Sequence, residues 1–326
     1  MVGRSPFFHG ARTTNVPTFI VPLIINEPDG FTFDPTKPDP NCSSQGSALS
    51  MVQASPIVNS APNSYTMNGV NVGSGQYIDV FQRANFFNAN VSATGNSYHT
   101  TLSPVTTLSP VTINIASGNG LSYTVGHGCN FGVIDDGTVP NDPQQRGKFE
   151  IMLDTQVIPN LPSVGPTSVP ILLMSNVFQT SGGTSLSNCC ILGFHSGFNT
   201  SSGAQFYGIS TFDTTGAISG DNDTSVLAHE VGELIDDPIG RNFTPAWGHT
   251  GQVQGCQNNL EVGDPLSPSN NGTTAPFHVT MPNGFTYTLQ ELAFFSWFYR
   301  QSPSIGSGGK FSNNGTFTTD AGAVCM

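Results

Sequence analysis

The stretch Val226-Leu-Ala-His-Glu-Val-Gly-Glu-Leu-Ile-Asp-Asp-Pro238 decides how the rest of the chain is read. Asp221-Asn222-Asp223-Thr224 offers helix-capping side chains just ahead of it, the helix runs on to Asp237, and Pro238 stops further growth. Residues four apart on a helix lie one turn above each other. His229 and Glu233 therefore project from one face and can grip one ion. Glu230, the neighbouring position, is placed to reach a water beside that ion rather than the ion itself.

The surroundings of this helix are unusually acidic. Eight of the 21 acidic residues lie between Asp221 and Asp264, accompanied by a single basic residue, Arg241. Self-repelling carboxylates at this density need a cation to hold them. The spacing is that of the His-Glu-x-x-His zinc peptidases, with Glu233 where the second His would stand. Such a site takes a third protein ligand from elsewhere and keeps one position open. The stretch Asn259-Leu-Glu-Val-Gly-Asp-Pro265 supplies the best candidate. Glu261 is the expected ligand, and Asp264 the expected hydrogen-bond partner of the free ring nitrogen of His229. His249 and Asp236 are the alternative donors. One imidazole and two carboxylates favour Zn²⁺ and admit Mn²⁺, Fe²⁺ or Ca²⁺ as rivals. The bland alternative is a surface helix with a capped start and solvated acids.

Composition sets the wider frame. Only 9% of the 326 residues are charged and 37% are hydrophobic, with Gly, Asn, Ser, Thr and Pro filling the gap. This suits turn-rich β-structure and an extracellular setting. A net charge of −12 on nine basic residues repels nucleic acid and anionic membrane surfaces alike. Cys42, Cys129, Cys189, Cys190, Cys256 and Cys325 contain no CxxC pair, which argues for disulfides in an oxidising compartment and against a thiolate zinc site. The longest apolar stretch, Phe19 to Ile25, is too short to span a membrane, is broken by Pro22 and lacks a cleavage site, so export through a leader absent from this sequence is expected.

Along the chain, residues 1–65 read as extended arms and turns. Tyr77–Phe87 reads as a core-packing amphipathic helix. The tandem Thr-Leu-Ser-Pro-Val-Thr over 101–112 is barred from helix and reads as extended. Phe149–Leu153, Val169–Phe178 and Ala204–Phe212 read as strands, and 289–300 as a buried helix. Trp247 and Trp297 read as core, and His195 as a structural histidine near aromatic residues. The expected fold class is α+β and β-rich, with a β-rich N-terminal half (1–148) and a zincin-like metal-site half (149–326), as two domains or fused as one.

With these residues quoted, a resemblance can be stated. The run from Val226 to Pro238, then Trp247, then Glu261-Val-Gly-Asp264 resembles secreted, mostly uncharacterised bacterial proteins. These are distantly similar to the plant Exordium (phosphate-induced) proteins, which share the His-Glu-x-x-Glu helix, a following Pro, a Trp and a later Glu-x-x-Asp. The resemblance implies a zincin-like fold with His229, Glu233 and Glu261 at a metal and Glu230 as the base. Peptidases of the gluzincin type carry a second His in place of Glu233 and a Glu-x-x-x-Asp one residue longer, and this chain departs from both. The expected function is a secreted zinc-dependent hydrolase acting on a peptide or protein. Its rival is a non-enzymatic extracellular wall, adhesion or assembly protein with a structural metal clip. Neither a nucleophile elbow nor a P-loop occurs.

Overall fold

The run from Phe19 to Ile25 forms the middle of a 14-residue strand, Thr13–Asn26. In the computed structural model, which describes residues 6–10, 12–42, 45–59, 64–91, 98–218, 221–267, 276–320 and 325, this strand lies inside a seven-stranded sheet. It pairs in parallel with Val169–Ser175, Thr18 opposite Val169 through Pro22 opposite Leu173, and further on with Val111–Asn114. The expectation of an extended arm is corrected here. Ile20, Val21, Leu23 and Ile25 are fully buried, the both-faces burial of a parallel interior strand. Burying four such side chains outweighs the one backbone donor that Pro22 lacks.

The fold is mixed α+β and rich in β-structure, as composition implies. The chain divides into two compact units, neither continuous in sequence. One comprises 1–17, 54–104 and 219–326; the other comprises 18–53 and 105–218, so residue 148, the boundary read from sequence, lies inside the latter. In this latter unit Gly203–Phe212 runs parallel to Val169–Ser175 and antiparallel to Gly193–Thr200. A four-stranded sheet orders Cys189–Ile191, Val177–Thr180, Asn130–Asp135 and Gly120–Thr124. Its core gathers Val21, Leu23, Ile25, Phe149, Leu172 and Tyr207. The duplicated segment is extended, in the strands His99–Thr107 and Val111–Asn114.

Phe149–Leu153 is not a strand: Lys148–Met152 is helical. Asp136 reaches the helix start, where its carboxylate accepts from Phe149 N at 2.7 Å and Glu150 N at 3.2 Å. A cap supplied from so far back in sequence carries no local signal. The expected helix over 289–300 is also corrected. Leu289 belongs to the strand Thr286–Gln290, paired with Pro276–Thr280, and only Phe295–Phe298 is helical. Leu292 N and Ala293 N are satisfied by Asn313 Oδ1 and Val262 O, away from any helix. A short run that is apolar on all sides does not distinguish the two states.

The unit that contains 219–326 carries the motif helix, Ser225–Asp236, and a second buried helix, Tyr77–Asn85. Trp247 and Trp297 meet edge to face in its core with centroids 5.5 Å apart. All six cysteines are paired, as Cys42–Cys129, Cys189–Cys190 and Cys256–Cys325. No helix among the described residues is long and apolar enough to cross a membrane.

Candidate metal centre

Both ends of the motif helix are latched to the segments that complete the site. At its start the Asp223 carboxylate accepts from Thr224 N at 2.5 Å and from Thr288 N at 3.0 Å, while Thr224 Oγ1 donates to Thr288 O. The expected capping is corrected here: the N-cap residue Thr224 makes no side-chain cap bond, and Asp223 and Thr224 instead tie the helix start to the strand that bears Gln290. At its end the Asp237 carboxylate collects Arg241 N at 2.7 Å, Asn242 N at 2.9 Å and Leu260 N at 3.1 Å. That latch fixes the segment running into Glu261 and Asp264.

Between the latches, His229, Glu233 and Asp264 form a buried group whose ligand atoms lie within 4.8 Å of one another. His229 Nε2 stands 3.1 Å from Glu233 Oε2 and 3.6 Å from Asp264 Oδ1. Exposure is 6% for His229, 3% for Glu233 and 8% for Asp264. The one-turn spacing thus does what helix geometry requires, and the arrangement is zincin-like. Glu233 Oε1 accepts from the backbone N–H groups of Gly263 (2.9 Å) and Asp264 (3.1 Å). This folds the loop back over the helix. Gly263 has to be glycine, since a Cβ there would lie 2.5 Å from His229 Nδ1.

The donors differ in detail from the arrangement read from sequence. Asp264, rather than Glu261, joins His229 and Glu233 in the three-residue group, because the turn at Gly263 carries its carboxylate inward. Asp264 is held by Gln252 Nε2 at Oδ1 and by Gln257 Nε2 at Oδ2, the latter at 2.9 Å. Glu261 lies alongside, hydrogen-bonded with Glu233 and accepting from Asn259 Nδ2 at 2.8 Å. The other ring nitrogen of His229 does not face Asp264: Nδ1 meets Gln290 Oε1 at 3.0 Å and Ser267 Oγ at 3.1 Å. His249 is exposed on the hairpin of Phe243–Thr250 and Val253–Asn259, beside Cys256 and outside the group. Asp236 is buried and faces the neighbouring helix, where Gln82 donates to it. Glu230 is buried and, through its charge, acts on both His229 and Asp264.

Gln290, Ser267, Gln252 and Gln257 are the functional residues that the sequence reading missed. Gln290 donates through Nε2 to Gly263 O at 2.6 Å, so its Oε1 must face the imidazole. An acceptor there keeps a proton on Nδ1, so the proton that a cation would displace is the one on Nε2, which faces Glu233 and Asp264. The amide-rich run Gly251-Gln-Val-Gln-Gly-Cys-Gln-Asn-Asn259 was the available signal for the two hairpin glutamines.

Electrostatics show what the group lacks. Burial, with the charges of Glu233, Asp264 and Asp237, pushes Glu261 up to about 11. Burial and Glu233 push Asp264 up to about 7. Burial works against the charged form of His229, yet Glu233, Glu230 and Asp264 hold its pKa well above the ordinary histidine range. Protons thus stand in for positive charge, and a divalent cation would relieve the same repulsion. His229, Glu233 and Asp264 are the residues able to hold one. Comparison with known proteins finds no matching family model, curated protein or solved structure.

Proposed function

We propose that this protein is an exported metal-dependent hydrolase, with zinc as its ion and peptide bonds as its substrate. One observation carries the reading: a buried imidazole and two carboxylates converge within 4.8 Å, with a further glutamate, Glu230, on the same helix. The donor set fits a divalent cation, since burial and Glu233 hold the Asp264 carboxyl up, and burial and the same charges hold up Glu261 beside it. A bound cation would polarise a scissile carbonyl and acidify water beside it. The protein's own part is divided among its residues. His229, Glu233 and Asp264 hold the ion, Gln290 fixes the imidazole tautomer, the Gly263 and Asp264 N–H groups orient Glu233, and Glu230 accepts the proton of the attacking water. Mn²⁺, Fe²⁺ and Ca²⁺ are the competing ions, because two carboxylates make the site hard.

The burial of all three donors favours a second reading, in which the ion is a structural clip in an extracellular wall, adhesion or assembly protein. Elemental analysis of the purified full chain, before and after a chelator, tests both. The hydrolase reading expects about one equivalent of metal, lost together with cleavage of a mixed peptide library. Metal whose removal lowers only the melting temperature would select the clip. A chain that takes up none of the four ions on dialysis would sink both.

A further inference from the structure

A second group of metal-ligating side chains shares no member with the centre just described: His249, Cys256 and Cys325, whose ligand atoms also fall within 4.8 Å of one another. Cys256 and Cys325 are joined as a disulfide, and His249 Nε2 stands 3.7 Å from Cys256 Sγ. The hairpin is built irregularly to bring this about. Gly248 pairs with Cys256 and Thr250 with Val253, so the single residue His249 faces two, Gln254 and Gly255. In regular alternation His249 would point to the face opposite Cys256. The irregularity, with a left-handed φ of +55° at His249, turns the imidazole to the cysteine's side instead. A non-glycine residue in that region of backbone space is uncommon and draws attention to what its side chain reaches. Here it reaches sulfur.

We propose that the Cys256–Cys325 bond gates a second metal site, which takes Zn²⁺ on Cys256, Cys325 and His249 once a dithiol reductant opens it. Exposure sets the order of events, since Cys256 is exposed and Cys325 is buried. A thiolate of the reductant attacks Cys256 Sγ; the S–S bond breaks, and its electron pair leaves with the Cys325 sulfur, which takes up a proton. The second thiol of the reductant then attacks the mixed disulfide and releases Cys256. The dithiol ends as a disulfide and the protein as two thiols. Zn²⁺ displaces the two thiol protons, and two thiolates with one imidazole form a soft set suited to it, with a fourth position left for water. The site is closed where disulfides persist and opens where dithiols prevail. It shares no ligand with the His229 centre, which offers no sulfur.

The test is an anaerobic Co²⁺ titration of the full chain, oxidised and after reduction by a phosphine, which is itself converted to the phosphine oxide. The signal is the thiolate-to-cobalt charge-transfer absorption. Metal bound by the oxidised chain reports on the His229 centre alone and so tests the hydrolase reading separately. Reduction is expected to add one Co²⁺ per chain with this absorption. Cys256→Ser and Cys325→Ser, which retain the other four cysteines, should each abolish it. His249→Ala should weaken Co²⁺ binding by at least about tenfold. Absorption that survives in either serine variant overturns the proposal. So does its absence when alkylation and mass analysis find both cysteines reduced, or a bond that resists reduction. Loss of the native circular dichroism before cobalt is taken up overturns it as well.

Discussion

Gln290 does for His229 what a carboxylate or a backbone carbonyl commonly does for a metal-binding imidazole. Because its amide nitrogen is committed to Gly263 O, the orientation of its oxygen, and hence the ring nitrogen that keeps its proton once an ion binds, is set before any ion arrives. Gln290→Leu removes that acceptor at a buried position, and metal affinity should fall by about 10–100-fold. Competition with a chromogenic chelator reads this directly, and unchanged affinity would show that the tautomer is set elsewhere. Glu230 makes the complementary case. Glu230→Gln preserves shape and removes the base, so hydrolysis should drop by about 10²–10⁴ while bound metal stays at the wild-type level. Full activity in this variant would exclude Glu230 as the proton acceptor.

At the scale of elements, the motif helix is packed tightly enough for one methyl group to matter. A Cβ at Gly232 would come 2.8 Å from Leu292 Cδ1, and Leu292 is fully buried. Gly232→Ala gains about 1 kcal/mol of helix propensity and meets an overpacking cost of about 1–3 kcal/mol. The packing term wins, and a net loss of about 1 kcal/mol is expected in urea unfolding; a stabilised variant would mean that Leu292 can move aside. The same element shows what could be read in advance. Its start, its end and the shared face of His229 and Glu233 follow from local periodicity and a fixed helical pitch. Which acid turns inward does not, because the choice between Glu261 and Asp264 is made by the turn at Gly263 and by two glutamines on a hairpin. The helix Lys148–Met152 was misread for a related reason, its cap arriving from Asp136. The Pro- and Asn-rich composition of residues 1–65 misleads in the opposite sense, marking as an arm a stretch that contains a strand whose partners lie some 90 and 150 residues further on.

At the scale of the whole molecule, stability should depend on pH through a group outside the metal centre. Glu27 is 4% exposed, and neither carboxylate oxygen has a hydrogen-bond partner among the described residues. Gly120 and Gly132 leave the room it occupies, since a Cβ at either would collide with a carboxylate oxygen. Burial, then the charge of Asp29, raises its pKa to about 8. For an acid raised in the fold, the native state binds the extra proton. The contribution of Glu27 to stability is therefore greatest below the unfolded value near 4.5, falls as pH rises from there to about 8, and levels off above. Glu27→Gln should flatten this slope and raise the urea midpoint at pH 9 while leaving it nearly unchanged at pH 4. Equal slopes in the two proteins would place the pH dependence elsewhere.

The interleaving of the two units sets a timetable for synthesis. Every residue of the unit formed by 18–53 and 105–218 is joined to the chain before the first residue of the motif helix is made. The other unit holds its two early segments, 1–17 and 54–104, without their partner until 219–326 emerges. That last segment brings His229, Glu233, Asp264 and Gln290 together. A chain extended only to residue 218 therefore holds every residue of one unit and none of the donors, which makes metal uptake a late event in the making of the protein.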